Sequence, residues 1–465
     1  MATSTASPER GPADVDPGRS APAKNVAAPP PWPGFYYGYW ILGGAFLSQL
    51  ISVGMMTSVV GTFVGPMTTD LGWQQSEFFL ATGVSRVVTA VMGFFVGTYL
   101  ARWGVRRFQI AGGICLAFGL FISGSVTETW QWWLIRGFIF TAGAAMVGNL
   151  VVNVTMSKWW VTKRGRMIGF SSMGVSFAGV IFPTIGVFLV ETFGWQMAWR
   201  ILGVIALLVI VPVAFIMKSQ PEDHGWLPDG LTDEDDEEDT TSAQSVQRAA
   251  VRADFDNSFT RKEAMRTKAL YLIVLGFGVG GVGIQVVLVQ MLPFLEEESF
   301  SSGTAALLVA VMSGGALVCK PFWGWTTDHW APNRGAAVAF IMAGVGMALV
   351  VIFAHQGALV PLLFAFGLLG WGFGGQIPLQ ETIWASYFGR RYIAEVRSMA
   401  MPLALIIGAT SPLIVAYYRD AVGNYIGVFF GVAGCWLAGA LIISFVKPPP
   451  RPVRVPTETT TVTTN

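Results

Sequence analysis

Charge is scarce in this sequence. Only 12% of its 465 residues are Asp, Glu, Lys or Arg, against ~25% in an ordinary soluble domain. With 53% hydrophobic residues, that scarcity excludes a protein whose whole surface faces water. Cysteine is scarce too: Cys115, Cys319 and Cys435 all fall in apolar stretches, which excludes a disulfide framework and leaves the redox compartment open. The three histidines, His224, His329 and His355, lie far apart and define no metal centre. No Gly-xxxx-Gly-Lys-Ser/Thr loop is present, which argues against ATP-driven work within this chain. A Gly-x-Ser-x-Gly nucleophile elbow is also missing. No enzyme constellation and no cofactor site emerge. The net charge of +1, with no basic cluster, gives no sign of a nucleic-acid partner. Residues 1–33 are rich in Pro, Ala and Ser and contain no apolar signal stretch. They are expected to form a disordered cytoplasmic tail, with the first membrane helix acting as an uncleaved signal.

What the sequence does have is apolar length. Stretches of spanning size recur at 36–61, 77–100, 107–126, 131–155, 166–190 and 196–217. They resume at 268–295, 303–327, 335–354, 358–386, 396–418 and 423–446. Each is near the ~20 residues a helix needs to cross hydrocarbon. The pattern predicts an all-α membrane protein of twelve transmembrane helices. Fifty-five glycines suit close helix packing in lipid.

The loops orient the chain. Those carrying Arg102, Arg106, Arg107, Lys158, Lys163, Arg164, Arg166, Arg334, Arg390, Arg391 and Arg397 alternate with loops whose only cations are Arg200 and Arg419. The positive-inside rule then puts both termini in the cytoplasm of a multi-pass protein, most simply in the plasma (inner) membrane. An internal repeat is visible. Gly97-xxx-Ala101-xx-Gly104-x-Arg106-Arg107 recurs as Gly324-xxx-Asp328-xx-Ala331-x-Asn333-Arg334. Trp160-xx-Lys163-Arg164 recurs as Phe388-xx-Arg391-Tyr392, and Gly194-Trp195 as Gly423-Asn424. Offsets of 227, 228 and 229 imply two six-helix pseudo-symmetric halves, 34–217 and 268–446. Between them 218–267 is a cytoplasmic acidic linker, read as solvated and flexible from DEDDEEDTTSAQS. Residues 447–465 are read as a second disordered cytoplasmic tail. Matched halves place a substrate site between them near the bilayer midplane.

GTYLARWGVRR resembles the loop 2–3 motif of the major facilitator superfamily, and Arg136, opening LIRGFIFTAGAAMVGN, its helix-4 arginine. The resemblance covers 36–446. KWWVTKRGRMIGFSSMG and TSPLIVAYYRDAVGNY are similar to signatures of the monocarboxylate transporter and oxalate–formate antiporter branch. It implies the major facilitator fold and a gate built on Gly97, Arg102, Gly104, Arg106, Arg107, Asp328 and Arg334. Ala101 stands where the motif has an acid, so the first-half gate is weakened or otherwise latched. The branch carries a substrate-binding cation followed by Pro on helix 8, matched here by Lys320-Pro321. Ala316 replaces the branch's Asp four residues earlier, and helix 1 lacks its lysine, so that proton mechanism does not carry over intact.

The residues themselves point the same way. Lys320 sits about five residues, or ~7 Å, to the cytoplasmic side of the midplane of its span. A lysine at bilayer depth costs roughly 2.5–3.5 kcal/mol unless it snorkels or has work to do. Arg86, nine residues inside helix 2, is either a second anion contact or a structural ion-pair partner; its guanidinium offers the bidentate fork that lysine lacks. Glu381 is the acid well inside a span, a proton-coupling candidate or the partner of Lys320, Arg86 or a loop arginine. For Arg136 the structural reading leads. Gln49, Thr57, Asn149, Asn153, Gln285, Gln376 and Gln380 give the helices a polar lining. Taken together, these residues predict a secondary active transporter of a small organic anion, a monocarboxylate, coupled to proton symport or anion exchange. Substrate binding falls to Lys320, Arg86, Asn149, Asn153, Gln285 and Gln380. Two rivals are an efflux carrier for amphipathic or drug-like compounds, and a non-transporting receptor or scaffold on the same fold.

Overall fold

The computed structural model describes residues 35–231, 243–400 and 411–452. The tails 1–34 and 453–465, the acidic run at 232–242 and the centre of the eleventh span, 401–410, lie outside the described residues.

Among the described residues all regular structure is helical. The first half begins with α1 (Gly38–Val53), which loosens into a π-helical turn, Gly54–Ser58, and resumes as Gly61–Leu71. A side chain at Gly54 would overlap the Phe182 ring, so the turn brings α1 against its neighbour. Then come α2 (Gln75–Leu100), α3 (Arg102–Ser123), α4 (Thr129–Trp159), α5 (164–193) and α6 (195–216). The second half contains α7 (Lys268–Glu297), α8 (Ser302–His329) and α9 (Pro332–His355). It continues with α10 (Leu359–Gly374 and Gln376–Phe388), α11 (393–400 and Ser411–Val422) and α12 (Ile426–Ser444). Among the described residues ten helices are long and apolar enough to cross a membrane, and the longest of them, Arg164–Ile216, spans 53 residues. It is α5 and α6 read through Gly194, whose φ of 77° breaks the helix. Gly423, its counterpart in the repeat, has φ 84°. Both halves therefore make the same turn with a residue that has no Cβ to oppose it.

Helix starts follow side-chain capping. Gln74 and Glu77 form a capping box at α2, and Ser301 accepts from the Thr304 amide at α8. The halves are packed internally by aromatics: Phe63 stacks on Trp199 at 3.8 Å and Phe294 on Phe429 at 4.7 Å. Outward, Phe188, Leu208, Phe364 and Leu441 are each at least 60% exposed, an apolar perimeter suited to lipid rather than water.

The interval between the halves differs from the expectation of a flexible linker. Short 3₁₀ turns form at Pro221–His224 and Pro228–Gly230, and a linker helix runs over Ala243–Asp256. Its Val251 and Asp254 are buried, because tertiary contacts described below hold it.

The halves meet most closely where α5 crosses α8. A Cβ added to Gly324 would lie 2.7 Å from the carbonyl carbon of Gly165, so the two backbones touch. Gly324→Ala is expected to destabilise the protein by about 1–3 kcal/mol, seen as a lower Tm in detergent. Gly314→Ala, where the added Cβ meets nothing within 4 Å, serves as the control. Equal Tm values for the two variants would contradict this packing.

Candidate functional site

Lys320 lies on α8, 3% exposed, and its Nζ donates to the Ser172 carbonyl of α5 at 2.7 Å. The direction of the side chain follows from a second contact. A Cβ on Gly169 would stand 2.6 Å from the carbonyl oxygen of Lys320. The Lys320 backbone is thus level with Gly169, while its ammonium reaches Ser172, three residues further along α5. Since α5 starts at the arginine-rich end of the bundle, the ammonium points away from that end. Snorkelling toward the nearer headgroups would need the opposite direction.

Arg86 crosses between the halves the other way. From α2 its Nη2 donates to Gln285 Oε1 on α7 at 3.1 Å. The structure therefore brings Arg86 and Gln285 together, and puts both candidate cations on partners in the opposite half. Glu381 is elsewhere: Arg397, from the start of α11, holds it in a two-bond fork of 2.8 and 3.2 Å, both side chains buried. Of the partners considered for Glu381, a loop arginine is the one the structure supplies. Gln380, beside it, is half-buried.

Asn153 is buried and accepts from Gln49 Nε2 at 3.1 Å. Asn153 Nδ2, Gln49 Oε1 and Asn149 Oδ1 are buried without partners among the described residues. Asn149 also lines a cavity of about 230 Å³ between α1, α2 and α4, whose other polar walls are Ser52, Thr57, Thr89 and Thr141. Lys320, Arg86 and Glu381 do not line it. Sequence reading missed Ser52, Thr89 and Thr141, single hydroxyls on α1, α2 and α4 that only the packing of those helices brings to one wall.

Arg136 proves to be 3% exposed. Its Nη2 donates to the Met56 carbonyl, freed where α1 loosens, and its guanidinium stacks 4.5 Å over Phe140. Nε and Nη1 have no partner among the described residues. Among the described residues no carboxylate pairs with Lys320, Arg86 or Arg136. Glu381 is instead paired with Arg397.

At the arginine-rich end the two halves are shut against each other. Asp328 accepts from the Gly165 amide at 2.8 Å and from Arg166 Nε at 2.9 Å. The repeat-related contact has no such pair among the described residues. A Cβ on Gly97 would lie 2.5 Å from the Ala394 carbonyl, so α2 and α11 close by packing alone. Sequence explains the difference: Ala101 replaces the acid, and the positions matching Gly165 and Arg166 are Ile393 and Ala394. Gly104 makes its turn at φ 75°. Arg102, Arg106, Arg107 and Arg334 are exposed, Arg106 lying 4.3 Å over the Phe215 ring.

The linker helix adds a clasp. Asp254, 4% exposed, meets Arg164 of the first half at 2.9 Å, Arg390 of the second at 3.8 Å and Arg451 at 3.0 Å. Arg390 also pairs with Glu222 and donates to the Lys158 carbonyl. One carboxylate thus ties both halves and the segment after α12.

Comparison with known proteins adds three findings. The family model described as Major Facilitator Superfamily matches residues 45–399. Monocarboxylate transporter 11 of Mus musculus is 24% identical over 87% of this chain and 86% of its own. The oxalate:formate antiporter of Oxalobacter formigenes is 22% identical over 76% and 80%. Among solved structures, the proton:xylose symporter XylE superposes with TM-score 0.70 at 14% identity, covering 88% of this chain and 96% of its own.

Breaking one partner of a buried charge pair, as at Asp254, costs about 3–5 kcal/mol, and the Asp328 pair, whose Arg166 side chain is 36% exposed, contributes less. Asp254→Ala and Asp328→Asn should therefore each shift the molecule toward opening at the arginine-rich end. Spin-label distances across that end should lengthen in a larger share of molecules than in wild type. An unchanged distance distribution in both variants would contradict the clasp.

Proposed function

The chain belongs to the Major Facilitator Superfamily, which makes it a transporter and not an enzyme, and from that we propose that it carries a small organic anion, a monocarboxylate in the simplest case, by alternating access. The observation that carries this reading is the Lys320 ammonium. It is buried at the α5–α8 crossing, it bonds only a neutral carbonyl, and no carboxylate pairs with it among the described residues. An ammonium in that setting keeps two further donors for an anion. An incoming carboxylate supplies the missing counter-charge and makes the site cheap to occlude, which lets the halves rock. Arg86, bonded across the halves to Gln285, adds a second contact on the same path. The similarity to a mouse monocarboxylate transporter and to the Oxalobacter oxalate:formate antiporter supports the same class.

The reading extends to topology. Halves 34–217 and 268–446 move about the site, joined by 218–267, and the arginine-rich end with both termini faces the cytoplasm of the plasma membrane. The cavity, at about 230 Å³, is smaller than the ~300–1,000 Å³ typical for drug-sized ligands, so efflux of amphipathic drugs is the weaker alternative.

For coupling, a role for Glu381 would draw on a carboxylate already engaged by Arg397 through two hydrogen bonds, so that fork would have to rearrange. Exchange of one anion for another asks for no such rearrangement. Lys320→Ala is expected to lower carboxylate uptake by reconstituted protein about 100-fold or more, from the loss of roughly 3 kcal/mol of charge pairing; equal uptake by variant and wild type would remove Lys320 from the mechanism. On the exchange reading, wild-type uptake rises with carboxylate on the trans side and ignores an imposed pH gradient. If instead the gradient drives uptake, and Glu381→Gln abolishes that drive while sparing exchange, proton symport through Glu381 replaces it.

A further inference from the structure

The cavity between α1, α2 and α4 is electrically neutral and rich in hydrogen-bond acceptors. A hydroxyl side chain has one proton to donate and two lone pairs to accept with. Three of the four hydroxyls in the wall have already spent that proton on the backbone. Ser52 Oγ donates to the Ala144 carbonyl at 2.9 Å, Thr89 Oγ1 to Ser85 at 2.7 Å and Thr141 Oγ1 to Arg136 at 2.8 Å. What they show the cavity is lone pairs. Asn149 adds a carbonyl oxygen, Oδ1, that no donor among the described residues satisfies, while its Nδ2 is a donor group of the wall. Thr57 alone keeps an uncommitted hydroxyl. The remaining wall, including Val53, Met56, Val96 and Leu150, is apolar. A carboxylate headgroup meets two donor groups here, Thr57 and Asn149, and no positive charge, whereas O–H groups find acceptors on three helices.

We infer that this cavity takes the hydrogen-bond-donating end of the substrate, and that the carrier therefore prefers hydroxylated carboxylates to oxo or unsubstituted ones. The inference rests on the organic-anion reading above: the cations bonded across the halves take the charged end, and the neutral first-half cavity takes the hydroxyl. A donor missing from the ligand leaves buried acceptors unpaired, and each such loss weakens binding by up to about tenfold.

The test uses lactate, pyruvate and propionate, acids of equal carbon number carrying a hydroxyl, an oxo group or neither. Their affinities are compared on the full-length reconstituted protein. Lactate is expected to bind about tenfold more tightly than either of the others. Thr141→Val, which keeps the shape and removes the acceptor, should bring the lactate-to-pyruvate ratio toward one, and Thr141→Ser should retain it. Reading the ratio cancels any loss of folded protein. Equal affinity for the three acids in wild type overturns the inference and leaves the organic-anion reading standing. If no carboxylate binds at all, the anion reading fails. The preference for hydroxylated carboxylates, which rests on that reading, then falls with it.

Discussion

Across the seam between the halves the Lys320 ammonium donates to the Ser172 carbonyl, and the transport function proposed above depends on that bond. It is a charge–dipole contact at membrane depth, and a carbonyl offsets only part of what the ammonium loses by leaving water. Such a bond is enough to hold α8 against α5, yet weak enough to be exchanged for a carboxylate. The backbones around it are pressed together by Gly165, Gly169 and Gly324. Small residues therefore bring the cation to the seam between the halves, and the seam is where a transporter must make and break contacts.

The closed end is secured differently on its two sides. Across α5 and α8 the seal is ionic, through Asp328 and Arg166; across α2 and α11 it is steric, at Gly97. The linker helix then ties both halves through Asp254 and its three arginines. Ion pairs of this kind hold one arrangement firmly and contribute nothing once separated, which suits a two-state device better than a graded one.

Much of the architecture was legible in the sequence, for physical reasons. Lipid demands apolar length, and arginine placement marks one end, so the spans and the six-plus-six repeat could be read directly. Gly194 and Gly423 were matched by offset, and both adopt positive φ. Boundaries were less legible: hydropathy cannot see that α1 loosens at Gly54–Ser58 or continues to Leu71. The linker helix was missed because AQSVQRAAVRADFD has little apolar content; what orders it is the charge on Asp254 meeting arginines distant in sequence. The same limit applies at the site. Lys320 stood out by depth, but its direction depends on how Gly169 and Ser172 are placed. Glu381 could have met several cations, and Arg397 is its partner only because the start of α11 returns beside α10. The cavity wall went unseen because single threonines in apolar helices carry no signal until neighbouring helices bring them together.

The account is tested most directly by a structure of the protein with a carboxylate bound. It predicts that the Lys320 ammonium leaves the Ser172 carbonyl and lies about 2.7–2.9 Å from a carboxylate oxygen. A structure in which the substrate is bound while Lys320 still holds Ser172 would contradict it.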